Sequence, residues 1–379
     1  MGSRREPISS QSIRTGELRI MTQHRRLPLR SCLLLLAAFV LALGGCAKGN
    51  ATNAGSASGA SSIKQQTYFI FDTIVTVKIY DERAGDAQFK DIEAVLKEID
   101  HKMNRQDKES EISKVQAASG KEAVAVSQDT FDIIATSLDY AKRTGGMFDP
   151  TVGPIVDLWG IGSENAKVPD PAELKQKLEL VDYRDVTLNP DKREVKLEKE
   201  GMELDLGSIG KGYAADRIAD YLRESGFESA IVDLGGNIFA VGPKPGGKDW
   251  IIGVQDPDET RGNQIGKMTV QNKTIVTSGV YERYFVENGK HYHHILDPMT
   301  GYPVENTLSS VTIVTSSSTH ADALSTSTFA LGLDEGMKFI ESNPEAEAIF
   351  ITTDHKVYCT PGIKDIFELT NSNYTIVKQ

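Results

Sequence analysis

The sequence predicts an α+β protein: one mixed α and β domain from residue 65 to residue 379, behind an N-terminal address segment and a flexible tether. Three observations predict it. β-Branched and aromatic residues alternate over Tyr68–Tyr80 as in a strand, apolar residues then recur at helical spacing, and short strand-like runs alternate with further helical stretches toward the C-terminus. No repeat, heptad run or internal linker divides this body.

The address segment comes first. Arg25, Arg26 and Arg30 precede an apolar run from Leu33 to Leu43, which reaches Leu43-Gly44-Gly45-Cys46. A basic flank, a short apolar core and small residues before a cut describe a secretory signal over residues 1–45. The run is too short for a comfortable membrane span; the alternative is an uncleaved anchor. Leu, two small residues and Cys resemble the bacterial lipobox, which implies cleavage before Cys46 and lipid on that residue. Residues 1–20 do not read as a basic flank, and Met21 is the expected start. Residues 46–64 are rich in Gly, Ser and Ala and cannot build a core, so they read as a lipidated tether.

In the body, Tyr68–Tyr80 reads as one strand. Phe89, Ile92, Leu96, Ile99 and Met103 then mark a helix, and Phe131, Ile134, Leu138 and Ala141 mark a second. A third is expected from Tyr213 to Glu224 and a fourth over Ala321–Leu331. Short strands are expected at Ala230–Asp233, Trp250–Val254, Thr274–Thr277, Val311–Val314 and Ala348–Thr352.

Composition narrows the function. Forty-two basic against 53 acidic residues give a net charge of −11, which repels phosphate backbones and argues against nucleic acid as a partner. Cys32 and Cys46 lie in or beside the apolar run and Cys359 stands alone, so no disulfide framework is expected in the folded part.

Five clusters carry chemistry. In Leu204–Asp216, LDLGSIGKGYAAD, a strand ends at Asp205 and a glycine-rich turn leads into a helix. Such a turn lets backbone amides approach an anion, with Lys211 adding a full charge; the plain alternative is a tight turn whose glycines serve packing. In Ala321–Thr326, ADALST, Asp322 and Thr326 share a helix face, two hard oxygen ligands suited to Mg²⁺. Asp322 is expected as an exposed cleft carboxylate; the alternative is an acid favoured near a helix N-terminus. HYHHILDPMTGYP holds three of the seven histidines, a source for a general base; His293 and His294, adjacent in a strand, should face opposite ways. In GMFDPTVGPIVDLWG, Phe148 and Trp159 could wall in a planar ring or simply fill a core. VDLGGNI, Val232–Ile238, reads as a buried strand and a double-glycine turn.

Together FDPTVGP, LDLGSIGKGYAAD, VDLGGN, TSGVYER, HHILDPMTG and ADALST resemble the ApbE-like FAD:protein FMN transferases, from about Phe69 to Gly332. The resemblance implies a mixed α and β catalytic domain, FAD as donor, Mg²⁺ as metal, AMP as leaving product, and a Thr or Ser hydroxyl of an exported redox protein as acceptor. It places FAD contacts on Phe71, Met147, Phe148, Asp149, Asp205, Lys211 and Ile295. Metal contacts fall on Ser208, Asp322 and Thr326, and the catalytic base falls on His294, with Asp205 or Asp149 as the other candidate base and Lys211 supporting the phosphates. Two departures stand out: many relatives have Met-Gly-Thr at Phe71-Asp72-Thr73, and an aromatic residue near Gln106. An FAD pyrophosphatase would differ only in using water as acceptor, and a non-catalytic flavin-binding lipoprotein would need neither Asp322 nor Thr326.

Overall fold

The computed structural model describes residues 63–378. The signal, Cys46 and nearly all of the tether lie outside the described residues.

The expected strand Tyr68–Tyr80 is a hairpin, β1 (Lys64–Ile70) and β2 (Thr73–Ile79). Phe71 and Asp72 join them with φ of 55° and 53°. Two successive left-handed residues make the turn whose twist suits a two-residue hairpin. Neither is Gly or Asn, so the alternation runs through the turn without a visible break. Helix α1 (Asp86–Met103) buries Ile92, Leu96 and Ile99, as its spacing requires. Next come α2 (Glu111–Ala117), capped by the Ser110 hydroxyl on the Ser113 amide, then β3 (Val124–Ala125) and α3 (Gln128–Arg143). The short helices α4 (Gly153–Trp159) and α5 (Pro171–Leu178) precede β4 (Val186–Asn189) and β5 (Glu194–Leu197), which pair with β3 in a small sheet.

Helix α6 (Gly210–Glu224) starts three residues earlier than expected. Strands β6 (Ala230–Leu234) and β7 (Asn237–Val241) flank the double-glycine turn, followed by β8 (Trp250–Gln255), β9 (Gln264–Val270) and β10 (Lys273–Gly279). A two-stranded ribbon, β11 (Tyr284–Glu287) and β12 (Lys290–His293), leads to β13 (Leu308–Thr315) and α7 (Ser318–Glu341). The α7 backbone breaks at Gly332 (φ 78°), one residue past the expected helix end. The chain closes with β14 (Glu347–Thr352), β15 (Lys356–Cys359), β16 (Phe367–Leu369) and β17 (Thr375–Ile376).

The main sheet has the order β1-β2-β6-β7-β10-β13-β14-β15-β17, antiparallel except for its last pair. Every residue of β13 is buried, because both faces of the sheet are covered there. Val311, Ile313, Ala348 and Phe350 face the cluster that includes residues of α7. Val314, Ile349 and Ile351 face Trp250, Ile252 and Met268 of the small sheet β16-β9-β8. Each such fully buried side chain contributes about 1.5–3 kcal/mol of transfer free energy. The registers bring the β1–β2 turn, the β6–β7 turn and the end of β10 to one end of the sheet.

Candidate active site

The site is assembled where α6 and α7 begin. Gly212 allows their approach: a Cβ there would lie 2.1 Å from the Ser318 carbonyl oxygen. Each helix caps the other. Ile209, at the head of α6, has no side-chain oxygen to offer. Instead the Gly212 amide donates to Asp322 Oδ2 of α7 at 2.6 Å. In return Asp216 of α6 accepts the Ser318 amide (2.7 Å), the Thr319 amide (2.9 Å) and the Ser317 and Thr319 hydroxyls at the head of α7. Carboxylates at helix N-termini satisfy orphan amides and meet the favourable end of the dipole.

Asp322 is therefore buried, 4% exposed, and not the open cleft carboxylate expected. Its Oδ1 accepts the Asn237 amide at 3.0 Å. Burial pushes its carboxyl up, while Lys211 and the two hydrogen bonds act in the opposite sense. Thr326 lies one turn along α7, half-buried, and Ser208 lies in the turn before α6, also half-buried. These oxygens suit a hard cation: one buried carboxylate with lone pairs to spare, a hydroxyl and a turn carbonyl, with no thiolate or imidazole among them. Among the described residues no group of three or more His, Cys, Asp or Glu side chains gathers as a metal cage.

The glycine loop differs from the expected phosphate cradle. Gly207 N donates to Asp205 Oδ1, Ile209 N and Gly210 N donate to Leu206 O, and Gly212 N is taken by Asp322. These amides serve the turn and the helix cap. The cation is Lys211, whose ammonium donates to the Gly207 carbonyl at 3.3 Å and makes no other hydrogen bond among the described residues. Space lies above Gly210, where a Cβ would meet no atom within 4 Å. Asp205 Oδ2 receives Arg105, whose guanidinium also binds Asp157 and Glu203 and ties the FDPTVGP and LDLGS segments together.

The two histidines have different surroundings, but not by alternation within one strand: β12 ends at His293, and His294 lies in the bend that follows. His293 is buried: Nε2 donates to Val304 O at 2.9 Å and Nδ1 accepts the Ile295 amide. His294 is half-buried; its Nδ1 meets the Arg283 carbonyl at 3.2 Å. A carbonyl only accepts, so the proton sits on Nδ1 and Nε2 keeps a free lone pair. Burial, then the positive charge of Lys211, hold this imidazole well below its usual range. Lys211 thus acts electrostatically on both Asp322 and His294.

A sequence model of the ApbE family matches residues 71–350. The chain belongs to the ApbE family. The chain is 33% identical over 340 residues to the FAD:protein FMN transferase of Treponema pallidum, covering 85% of this chain and 94% of that protein. It is 36% identical over 269 residues to that of Klebsiella pneumoniae, covering 71% and 83%. The ApbE protein of Thermotoga maritima superposes with a TM-score of 0.73 at 34% identity, over 80% of this chain and 98% of that one. The flavin transferase ApbE of Vibrio cholerae gives 0.70 at 28% identity, over 80% and 100%. The chain is a transferase with the ApbE fold.

Within this ApbE fold the remaining residues named from sequence are placed as follows. Met147, Phe148 and Ile295 belong to the hydrophobic cluster that also holds Leu206, Ile209 and Leu324. The Phe148 ring is buried beside Tyr140, and its amide donates to Thr144 Oγ1. Phe71 packs in the cluster beneath α6. Asp149 is buried, with both oxygens accepting bonds from Thr151 and Tyr183; desolvation raises it, and it works as a turn staple. Trp159 is no ring wall: it is fully buried, with Nε1 donating to Gly301 O at 2.7 Å. A groove of about 400 Å³ runs beside β12, lined by His291, Tyr292 and Tyr302 among others, but Lys211, Asp205 and Asp322 do not line it. The charged groups, not this groove, mark the candidate site. Sequence reading missed Arg105, Asp216 and Asn237. Two of these lie inside motifs already singled out, but nothing local tells a helix-surface Asp from a cap for a helix a hundred residues away.

Proposed function

We propose that this chain moves the FMN half of FAD onto a Thr or Ser hydroxyl of an exported protein, releasing AMP, with Mg²⁺ required. The observation that carries this reading is the grouping of Lys211, which makes no salt bridge among the described residues, with a buried Asp322 and a His294 whose Nε2 is free. Phosphoryl transfer at a diphosphate asks the protein mainly for positioning and charge stabilisation, and these groups provide both.

His294 Nε2 takes the proton of the acceptor hydroxyl as its oxygen bonds to the riboflavin-side phosphorus. The bond from that phosphorus to the bridging oxygen breaks, and AMP departs with the bridging oxygen. Lys211 stabilises the charge that grows on the diphosphate oxygens. Asp205, held by Arg105 and the Gly207 amide, fixes the floor of the loop below. Phe71, Met147, Phe148, Asp149 and Ile295 are proposed to hold FAD. Asp322, Thr326 and the Ser208 carbonyl would hold Mg²⁺, which when bound supplies neutralisation of diphosphate charge. His294 is unprotonated at neutral pH, as a base must be, and the negative charge of a bound diphosphate would raise its basicity from the depressed value.

Cys46 is proposed as the lipidation site, which would hold the catalytic domain outside the cytoplasmic membrane on its tether. Among the described residues no helix is long and apolar enough to cross a membrane. Incubation with FAD, Mg²⁺ and a candidate exported protein, read by intact mass, tests the activity. An FMN-sized adduct on the acceptor with matching AMP is expected; AMP release without any adduct would refute transfer. Cys46→Ser should release the protein from the membrane fraction, and unchanged partition would refute the anchor.

A further inference from the structure

Asp322 is aimed by a chain of hydrogen bonds that begins on the central sheet. Asn237, the first residue of β7, is 3% exposed and sits between Asp322 and the head of α7. Its Nδ2 lies 3.0 Å from Asp322 Oδ1, and its Oδ1 lies 2.7 Å from the Ser318 hydroxyl. Ser318 is itself fully buried and 3.0 Å from the hydroxyl of Thr274, a buried residue of β10.

The directions of the two bonds at Asn237 are fixed by elimination. A carboxylate offers no proton, so the amide nitrogen of Asn237 must face Asp322. The amide oxygen then faces Ser318, whose single proton goes to it. The Thr274 hydroxyl shares its proton between Ser318 Oγ at 3.0 Å and the Ile238 carbonyl at 3.2 Å. A flipped amide would set oxygen against oxygen at Asp322. The Gly212 amide already holds Oδ2, so with Asn237 on Oδ1 both oxygens are pinned from the protein side. Their remaining lone pairs point away from those donors.

We propose that Asn237, oriented by Ser318 and Thr274, is a positioning residue for the metal carboxylate Asp322. The proposal rests on the reading of Asp322 as a metal ligand. Partners behind a ligating carboxylate fix its direction, and their loss typically weakens metal binding about 10–100-fold. Asp216 contributes from outside the chain of bonds. By capping α7 at Ser318 and Thr319 it sets the height at which Ser318 meets Asn237. Four elements, β7, β10, α6 and α7, therefore converge on one carboxyl group.

The test uses Mn²⁺ as a spectroscopic substitute for Mg²⁺, with free Mn²⁺ measured by electron paramagnetic resonance on the catalytic domain's intact protein without FAD. Asn237→Leu keeps the approximate shape and removes the donor. Ser318→Ala and Thr274→Val are gentler, leaving Asn237 in place but free to turn. A Mn²⁺ dissociation constant raised at least 10-fold in Asn237→Leu, and severalfold in Ser318→Ala, is expected, with the far-ultraviolet spectrum unchanged. Turnover at saturating Mg²⁺ should fall less than the apparent affinity for Mg²⁺. If Asn237→Leu fails to fold, the Ser318→Ala and Thr274→Val pair decides: Mn²⁺ affinity equal to wild type in both overturns the proposal. Asp322→Asn is the control. Wild-type Mn²⁺ affinity in that variant overturns the metal reading itself, and this inference with it. Loss there but not in the other variants overturns only the role of Asn237.

Discussion

Gly212→Ala tests the helix contact on which the site depends. The added methyl would lie 2.1 Å from the Ser318 carbonyl oxygen, 2.5 Å from its carbon and 2.9 Å from Thr319 Cα. All three are backbone atoms and cannot rotate away, so α6 and α7 must part by about 1 Å or more. Overpacking of this kind costs about 1–3 kcal/mol. Stretching the 2.6 Å bond from the Gly212 amide to Asp322 weakens a helix cap worth about 1 kcal/mol. Replacing Gly by Ala inside a helix returns about 1 kcal/mol. The net loss is about 1–3 kcal/mol, which for a domain of this size lowers the melting temperature by roughly 2–5 °C. Gly210→Ala is the matched control, since its methyl would meet nothing within 4 Å. Calorimetry should separate the two variants clearly, and transferase activity in Gly212→Ala should fall far more than the residual folded fraction explains. Equal melting temperatures for the two would refute the close approach of α6 and α7.

Asp322→Asn should abolish activation by Mg²⁺ and flatten the pH dependence of the metal-free protein's stability, while its NH₂ meets one of the two donors, Gly212 N or Asn237 Nδ2, at a cost of about 1–3 kcal/mol. Burial raises the folded carboxyl, so wild-type stability falls as pH rises through the folded value while that of the variant does not; a variant that keeps the wild-type pH slope would contradict this. For His294 the sign is opposite. The folded imidazole is depressed, so the stability it contributes is complete above its unfolded value near 6.5 and is lost as pH falls toward the folded value. The acid limb of the rate profile should accordingly lie well below pH 6.5, and a limb centred near 6.5 would show that His294 is not the base or is not depressed. His294→Ala should slow transfer more than it weakens FAD binding, whereas His293→Ala should act through stability, because its ring bonds Val304 O inside the core. Lys211→Met should weaken FAD and slow turnover together, and an unchanged ratio of kcat to KM would remove it from the site.

The sequence carried the outline well where burial is one-sided or total. The helical spacing from Phe89 to Met103 and the apolar runs of β13 and β14 are imposed by the core, so they read directly. The turn at Phe71-Asp72 did not, because it uses two residues that rarely adopt a left-handed backbone. The small sheet of β3, β4 and β5 escaped notice as well: its strands have two to four residues, too few for a period to show. In the site, Lys211, Asp322 and His294 were legible as residue types within motifs, and their mutual placement was not. Glycine shows the limit most clearly. Gly207, Gly210 and Gly212 look alike in the loop, yet Gly212 serves helix contact and Gly210 faces open space. Asp322 was misread as exposed because the partner that buries it, Gly212, lies 110 positions upstream.

The mutual capping of α6 and α7 also bears on how this protein opens. The Gly212 amide is shielded by a residue of the other helix, and so are those of Ser318 and Thr319. Neither helix can lift without uncovering amides on both. Hydrogen exchange at these three positions should therefore rise and fall together rather than fray one end at a time. A ligand bound between the two helix starts would slow all three in common, so exchange at these few amides reports occupancy of a site to which most of them contribute no contact.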